Sequence, residues 1–264
     1  MSNILTLSIS ELVSKLKSGN ISSVELCSAY IDRYDKFEKD VKAWAYFDKK
    51  LLLEKATEAD ENRKAGKPLG QLHGLPIGVK DIFGTLDMPT ECGTVIRKKM
   101  TGSQDAEVVN LLKISGAITM GKTTTTELAY FHPSKTTNPN DYSRTPGGSS
   151  SGSAAAVASY MTPLAIGSQT NGSVIRPASY CGVVGYKPSY GLISRSGVLK
   201  QSEKLDHIGL FGKKVEDVAL LAKALIKKDL YDPSTIYYSA ESLEEEVKKG
   251  PIFDPKFIFY KTKN

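Results

Sequence analysis

Three short segments carry residue types that could act together on a carbonyl carbon. Lys80 lies inside the apolar run Ile77-Gly-Val-Lys-Asp-Ile-Phe83. Read as a strand, that run puts Lys80 on one face with Gly78 and Ile82 and turns Asp81 away. A lysine in such a setting loses charge through desolvation, and a neutral amine is a base. The competing reading is a lysine at a strand end that reaches out to water.

The second segment is Gly147-Gly148-Ser149-Ser150-Ser151-Gly152, where paired glycines permit close backbone approach. The third is Gly167-Ser-Gln-Thr-Asn-Gly172-Ser173-Val-Ile-Arg176-Pro177. There a turn of small residues leads to a serine, with a short helix expected after it. Consecutive N–H groups at such a turn make an anion pocket, which a developing oxyanion needs. Each segment alone is a weak signal. A base, a small-residue serine turn and a second serine beside an anion pocket, in this order, make a strong one.

The surrounding pattern supplies elements to hold them. Residues 8–66 read as helical: Ser10 is expected to cap a first helix ending near Gly19, and Ser22 or Ser23 a second. A charged third helix is expected over Asp48–Lys64, broken by Gly66 and Pro68. Strands are expected at 75–83, 117–120, 163–166, 183–186 and 256–260, and helices at 105–114, 154–160 and 214–227. Residues 133–153 read as loop. Alternating strands and helices predict an α/β fold, a mixed β-sheet core covered by helices.

Several motifs invite other readings. Gly116 to Thr123 fits GxxxxGK[ST] letter for letter. A phosphate loop needs a strand before its first glycine and a helix after its lysine, and the order here is reversed. Gly148 to Gly152 fits GxSxG, but Pro146 and Gly147 occupy the place of the strand that a nucleophile elbow requires. Gly147 to Ser153 could serve as a flexible linker, yet it runs directly into Ala-Ala-Ala-Val-Ala. A histidine-dependent triad would have to draw on His73, His132 or His207, and none sits in a convincing setting.

Composition narrows the rest. Of 264 residues 40% are apolar, and 35 basic against 29 acidic residues leave a net charge of +6. The lysines are scattered, so no nucleic-acid-binding arm stands out. Cys27, Cys92 and Cys181 are an odd number, far apart and without CxxC. No disulfide framework or zinc site is expected, and a cytoplasmic location is. No window approaches the roughly 18 apolar residues of a membrane span, and no signal peptide is expected.

The three segments together resemble the amidase-signature family. Its glycine/serine stretch is matched by Gly147–Ala158, its nucleophile segment by Gly167–Pro177, and its lysine strand by Gly74–Phe83. Gly121-Lys-Thr-Thr and Lys204-Leu-Asp-His-Ile-Gly209 are similar to further landmarks of the family. The resemblance implies an amidohydrolase that cleaves a carboxamide through an acyl-enzyme. In it Ser173 is the nucleophile, Ser149 a bridging serine after a cis peptide, and Lys80 the general base. Backbone N–H groups of Thr170, Asn171, Gly172 and Ser173 would form the oxyanion hole, with no metal or cofactor. Arg176 could hold a substrate carboxylate, or serve as a structural arginine bonding loop carbonyls.

Two departures stand out. Asn171 takes a position where the family often has glycine, and Asn tolerates positive φ better than most residues. Family members also usually continue well past residue 264. The chain is thus expected to be a single domain, 1–264, incomplete at its C-terminus, with 1–66 as a helical arm. Three functions follow: a free-standing amidohydrolase, the glutaminase (A) subunit of a tRNA-dependent amidotransferase, or an inactive truncated scaffold. Such subunits usually read Ile-Arg-Gln-Pro after the nucleophile; Val174-Ile175-Arg176-Pro177 favours the first. Expected partners are a small-molecule amide and, as a candidate, a second copy of the chain. No membrane is expected, and nucleic acid only in an amidotransferase.

Overall fold

The computed structural model describes residues 3–250 and 253–261. Its first helix, α1 (Ile9–Ser18), is capped by Ser8 rather than Ser10. The Ser8 hydroxyl accepts from Glu11 N–H, and the Glu11 carboxylate accepts from Ser8 N–H at 2.9 Å. Of Ser8 and Ser10, Ser8 alone has a glutamate three residues on, which makes the reciprocal cap; Ser10 lies inside the helix. Ser22 and Glu25 repeat the arrangement at α2 (Ser23–Val41), and Asp48 caps α3 (Lys49–Lys64). Between them Trp44–Tyr46 forms a strand, β1. The N-terminal arm is therefore not purely helical.

The remaining elements are β2 (Pro76–Lys80), α4 (Glu107–Ile114), β3 (Ile118–Thr123), α5 (Ser151–Ala158), β4 (Leu164–Gln169), α6 (Ile175–Cys181), β5 (Val184–Tyr186), β6 (His207–Gly212), α7 (Val215–Leu225) and α8 (Leu243–Lys248). The six strands form one sheet in the order β1-β3-β2-β4-β6-β5. β2 runs parallel to both β3 and β4, while β1, β5 and β6 pair antiparallel with their neighbours. The sheet is mixed and the fold α/β. Strands β2 and β3 are buried throughout, as expected where helices cover both faces.

The all-small helix α5 packs on β2, β3 and β4, and its residues Ser151 to Val157 are all buried. Without bulky side chains its backbone lies close to the sheet. It begins at Ser151, inside the stretch read as loop. On another side Asp217 of α7 accepts from Ile9 N–H at 3.0 Å, fastening α1.

The strand expected over Lys256–Tyr260 is not formed. That segment is highly exposed and finds no ladder partner among the described residues. Strand propensity describes how a side chain fits a pleated, half-buried surface, so a β-rich run without a neighbour stays irregular. β6 has no clear sequence signal, because Gly209 interrupts its apolar residues and Gly212 ends it. Among the described residues no helix is long and apolar enough to cross a membrane.

Candidate active site

In open α/β sheets, the crevice at the carboxyl ends of parallel strands collects the loops that bind ligands. β2, β3 and β4 all end on that side here. Lys80 is the last residue of central β2, in register with Thr123 of β3, and its side chain is fully buried. It does not reach water: Nζ donates to Ser149 Oγ at 2.7 Å and Ser168 Oγ at 2.9 Å. Burial pushes the Lys80 ammonium down from 10.5 to about 7, against the opposing pull of the negative charge on Asp206. A substantial fraction of neutral amine at neutral pH follows.

Ser149 follows the cis peptide Gly148–Ser149. Its carbonyl accepts from Thr126 N–H at 3.2 Å. The next serines act as struts. Ser150 Oγ donates to Ser168 O at 3.1 Å, Ser151 Oγ to Gly147 O at 2.7 Å, and Ser153 Oγ to Ile166 O at 3.0 Å. The serine turn is thereby stitched to β4 and is not a linker.

Ser173 sits in the turn between β4 and α6, which Gln169 shapes. Gln169 Oε1 accepts from Val174 N–H at 2.9 Å and Ile175 N–H at 3.0 Å. Ser150 N–H donates to Ser173 O at 3.2 Å, tying the two serine turns together. Ser149 and Ser173 line one cavity of about 380 Å³ with Thr170, Asn171 and Arg176. Among the described residues the Ser173 hydroxyl makes no hydrogen bond, and the N–H groups of Asn171, Gly172 and Ser173 meet no acceptor. Gly172 has φ of +133°, a conformation that side chains rarely adopt. Arg176 forms no ion pair or carbonyl bond among the described residues, and its buried Nε has no partner. Tyr130, Phe131 and Tyr180 stand at the cavity wall.

The other motifs resolve differently. Gly121, Lys122 and Thr123 lie within β3, and helix α4 precedes Gly116. Lys122 Nζ donates to Phe83 O at 2.8 Å and Thr90 Oγ1 at 2.7 Å; it braces the loop after β2. A phosphate loop is not the geometry here. No strand leads into Gly148, so there is no nucleophile elbow. His73 is buried, His132 exposed, and His207 Nδ1 lies 2.6 Å from Leu205 O; none lines the cavity that holds Ser149 and Ser173. The three cysteines are free and buried. Sequence reasoning missed Ser168, which meets Lys80 only through the register of β4 beside β2, and Gln169, whose partners are the N–H groups five and six residues further along the same turn.

The Amidase family profile matches residues 25–251. The chain belongs to the amidase family. Its relatives include the A-subunit of glutamyl-tRNA(Gln) amidotransferase from Leptospira interrogans, 40% identical over 259 residues that cover 95% of this chain and 53% of the relative. The protein of that name from Gloeothece citriformis is 42% identical, covering 87% of this chain and 49% of the relative. Among solved amidase structures, the peptide amidase from Stenotrophomonas maltophilia superposes with a TM-score of 0.83 at 30% identity, covering 90% of this chain and 51% of its own. The glutamyl-tRNA(Gln) amidotransferase A-subunit of Thermotoga maritima gives 0.74 at 33%, with 90% and 51% covered. The chain thus spans about half the length of the amidases it matches.

Proposed function

We propose that this chain carries the acyl-transfer machinery of an amide hydrolase. The observation that supports it most is the buried Lys80 amine, brought down to about 7 and held 2.7 Å from Ser149 Oγ. Ser173 Oγ attacks the carboxamide carbon and passes its proton to Ser149, which gives its own to the neutral Lys80 amine. The N–H groups of Thr170, Asn171, Gly172 and Ser173 receive the oxyanion; each such donor is worth about 3 kcal/mol in related acyl transfers. Collapse of the tetrahedral intermediate breaks the C–N bond, and the relay returns a proton to the leaving nitrogen. Water then hydrolyses the acyl-enzyme by the same route.

For substrate class we favour the glutaminase component of a tRNA-dependent amidotransferase over a free-standing amidase. Relatives named for that component are 38–42% identical over most of the chain, which outweighs the Val174-Ile175-Arg176-Pro177 spelling. The amide would be that of glutamine, with Arg176 free to hold its carboxylate, since a guanidinium grips carboxylates with two parallel donors. In such an assembly the chain works with partner proteins and meets tRNA through them.

The test is labelling of the purified chain with a fluorophosphonate, mapping of the labelled peptide, and measurement of ammonia release from glutamine. Labelling at Ser173 that Ser173→Ala abolishes is the expected result. Label on Ser149 or Ser150 overturns the assignment. A cooperatively melting chain that takes no label is the inactive scaffold.

A further inference from the structure

The segment Lys204 to Gly209 has no chemical role in the reading above. In the structure its Asp206 is half-buried just before β6, and both carboxylate oxygens are engaged. Oδ1 lies 2.6 Å from the Thr170 hydroxyl, and Oδ2 accepts from the N–H groups of Gln201 at 2.7 Å and Ser202 at 2.9 Å. Thr170 is the first residue after β4 and opens the turn to Ser173. Gln201 extends the tie: its Nε2 donates to Leu128 O at 2.9 Å, and its Oε1 is 3.0 Å from the Thr170 hydroxyl. One carboxylate therefore holds the nucleophile turn to a second loop, which in turn holds the cavity wall.

Asp206 also exerts the largest charge effect on Lys80. The other groups facing Lys80 are the hydroxyls of Ser149 and Ser168 and the Cys92 thiol. Asp81 is turned away, accepting from the N–H groups of Glu91 and Gly93 and lying 3.8 Å from Lys122. Asp206 shares a small cavity with Arg195, Lys200 and His207. Arg195 is paired with Asp232 at 3.0 Å, Lys200 with Glu203 at 3.0 Å, and His207 Nδ1 lies against Leu205 O. These groups have their own partners, so Asp206 is left to act on Thr170 and Lys80.

We propose that Asp206 is a positioning residue of this site: its carboxylate fixes the Thr170 end of the nucleophile turn and holds a negative charge in the small cavity that Ser168, a hydrogen-bond partner of Lys80, also lines. The inference rests on the Ser173–Ser149–Lys80 reading. It separates two functions that different substitutions disconnect. Asp206→Asn removes the charge and the bonds from the Gln201 and Ser202 N–H groups, which an amide nitrogen cannot accept, while keeping an oxygen near Thr170. Thr170→Val breaks the tether while keeping the charge.

The test uses the full chain with 13C-labelled lysine, the Lys80 signal being assigned by its loss in Lys80→Met. In Asp206→Asn the Lys80 titration midpoint moves to lower pH by on the order of one unit, as for loss of a nearby opposite charge. The acid limb of Ser173 labelling follows it. In Thr170→Val the midpoint stays in place while labelling slows. An unmoved midpoint in Asp206→Asn, or an equal shift in both variants, overturns the proposal. Should Asp206→Asn fail to fold, Asp206→Glu displaces the carboxylate with its charge kept: slowed labelling at an unchanged midpoint supports the inference, and wild-type labelling overturns it. Failure of the underlying catalytic reading is separate, since it appears as labelling that survives Lys80→Met, whereas the titration is read without turnover.

Discussion

Replacing Lys80 with Met isolates what it costs to enclose an amine at the centre of this sheet. The side chain is fully buried, and burial is the main cause of its fall from 10.5 to about 7. Between those values the folded chain holds a neutral amine and the unfolded chain a protonated one. Such a group favours the folded state least at low pH. The penalty is absent above 10.5, grows as pH falls, and is complete below about 7. At about 1.36 kcal/mol per pH unit, the gap amounts to ~5 kcal/mol. Met fills a similar volume without charge, so Lys80→Met removes this pH-dependent part. It also removes the bonds to Ser149 and Ser168, a loss of about 1–3 kcal/mol with no comparable slope. Urea unfolding of both proteins from pH 10 to pH 6 reads the difference. The stability of the variant relative to wild type should rise by about 1.4 kcal/mol for each unit of pH lowered, then level near pH 7. A difference independent of pH would refute burial as the cause of the depression. The same variant should lose labelling at Ser173; a wild-type rate would remove Lys80 from the mechanism.

Two further outcomes follow from the geometry. Arg176→Lys should raise KM for amides bearing a carboxylate roughly tenfold or more, since one charge-assisted bond is worth about 1.5–3 kcal/mol, and leave neutral amides nearly unaffected; equal loss in both classes would leave Arg176 a structural role. Gly152→Ala should lower stability by about 1–3 kcal/mol, because a Cβ there would collide with Ala43 O and Thr124 N, where α5 rests against the β1–β3 edge. An unchanged melting temperature would show that α5 can lift from the sheet without loss.

The sequence by itself determined which three segments are proposed to carry the chemistry, because their signals are local. An amine in an apolar run, paired glycines before serines, and small residues ahead of Ser173 each express their physics within a few positions. The amphipathic helices and the central strands were legible for the same reason, since periodicity needs only the chain's own residues. The cap at Ser8 also lay in the sequence, in the spacing to Glu11.

Tertiary structure decided the rest. Whether Lys80 reached water or was enclosed depended on β3 and β4 closing on both sides of β2. Trp44–Tyr46 and His207–Gly212 became strands through pairing with edges supplied by distant residues, while Lys256–Tyr260, rich in β-forming residues, found no edge and formed no strand. Ser168 and Asp206 gained their contacts with Lys80 and Thr170 through the register of β4 against β2 and β6. Burial and pairing are properties of what lies across the sheet, and no window of neighbouring residues contains that information.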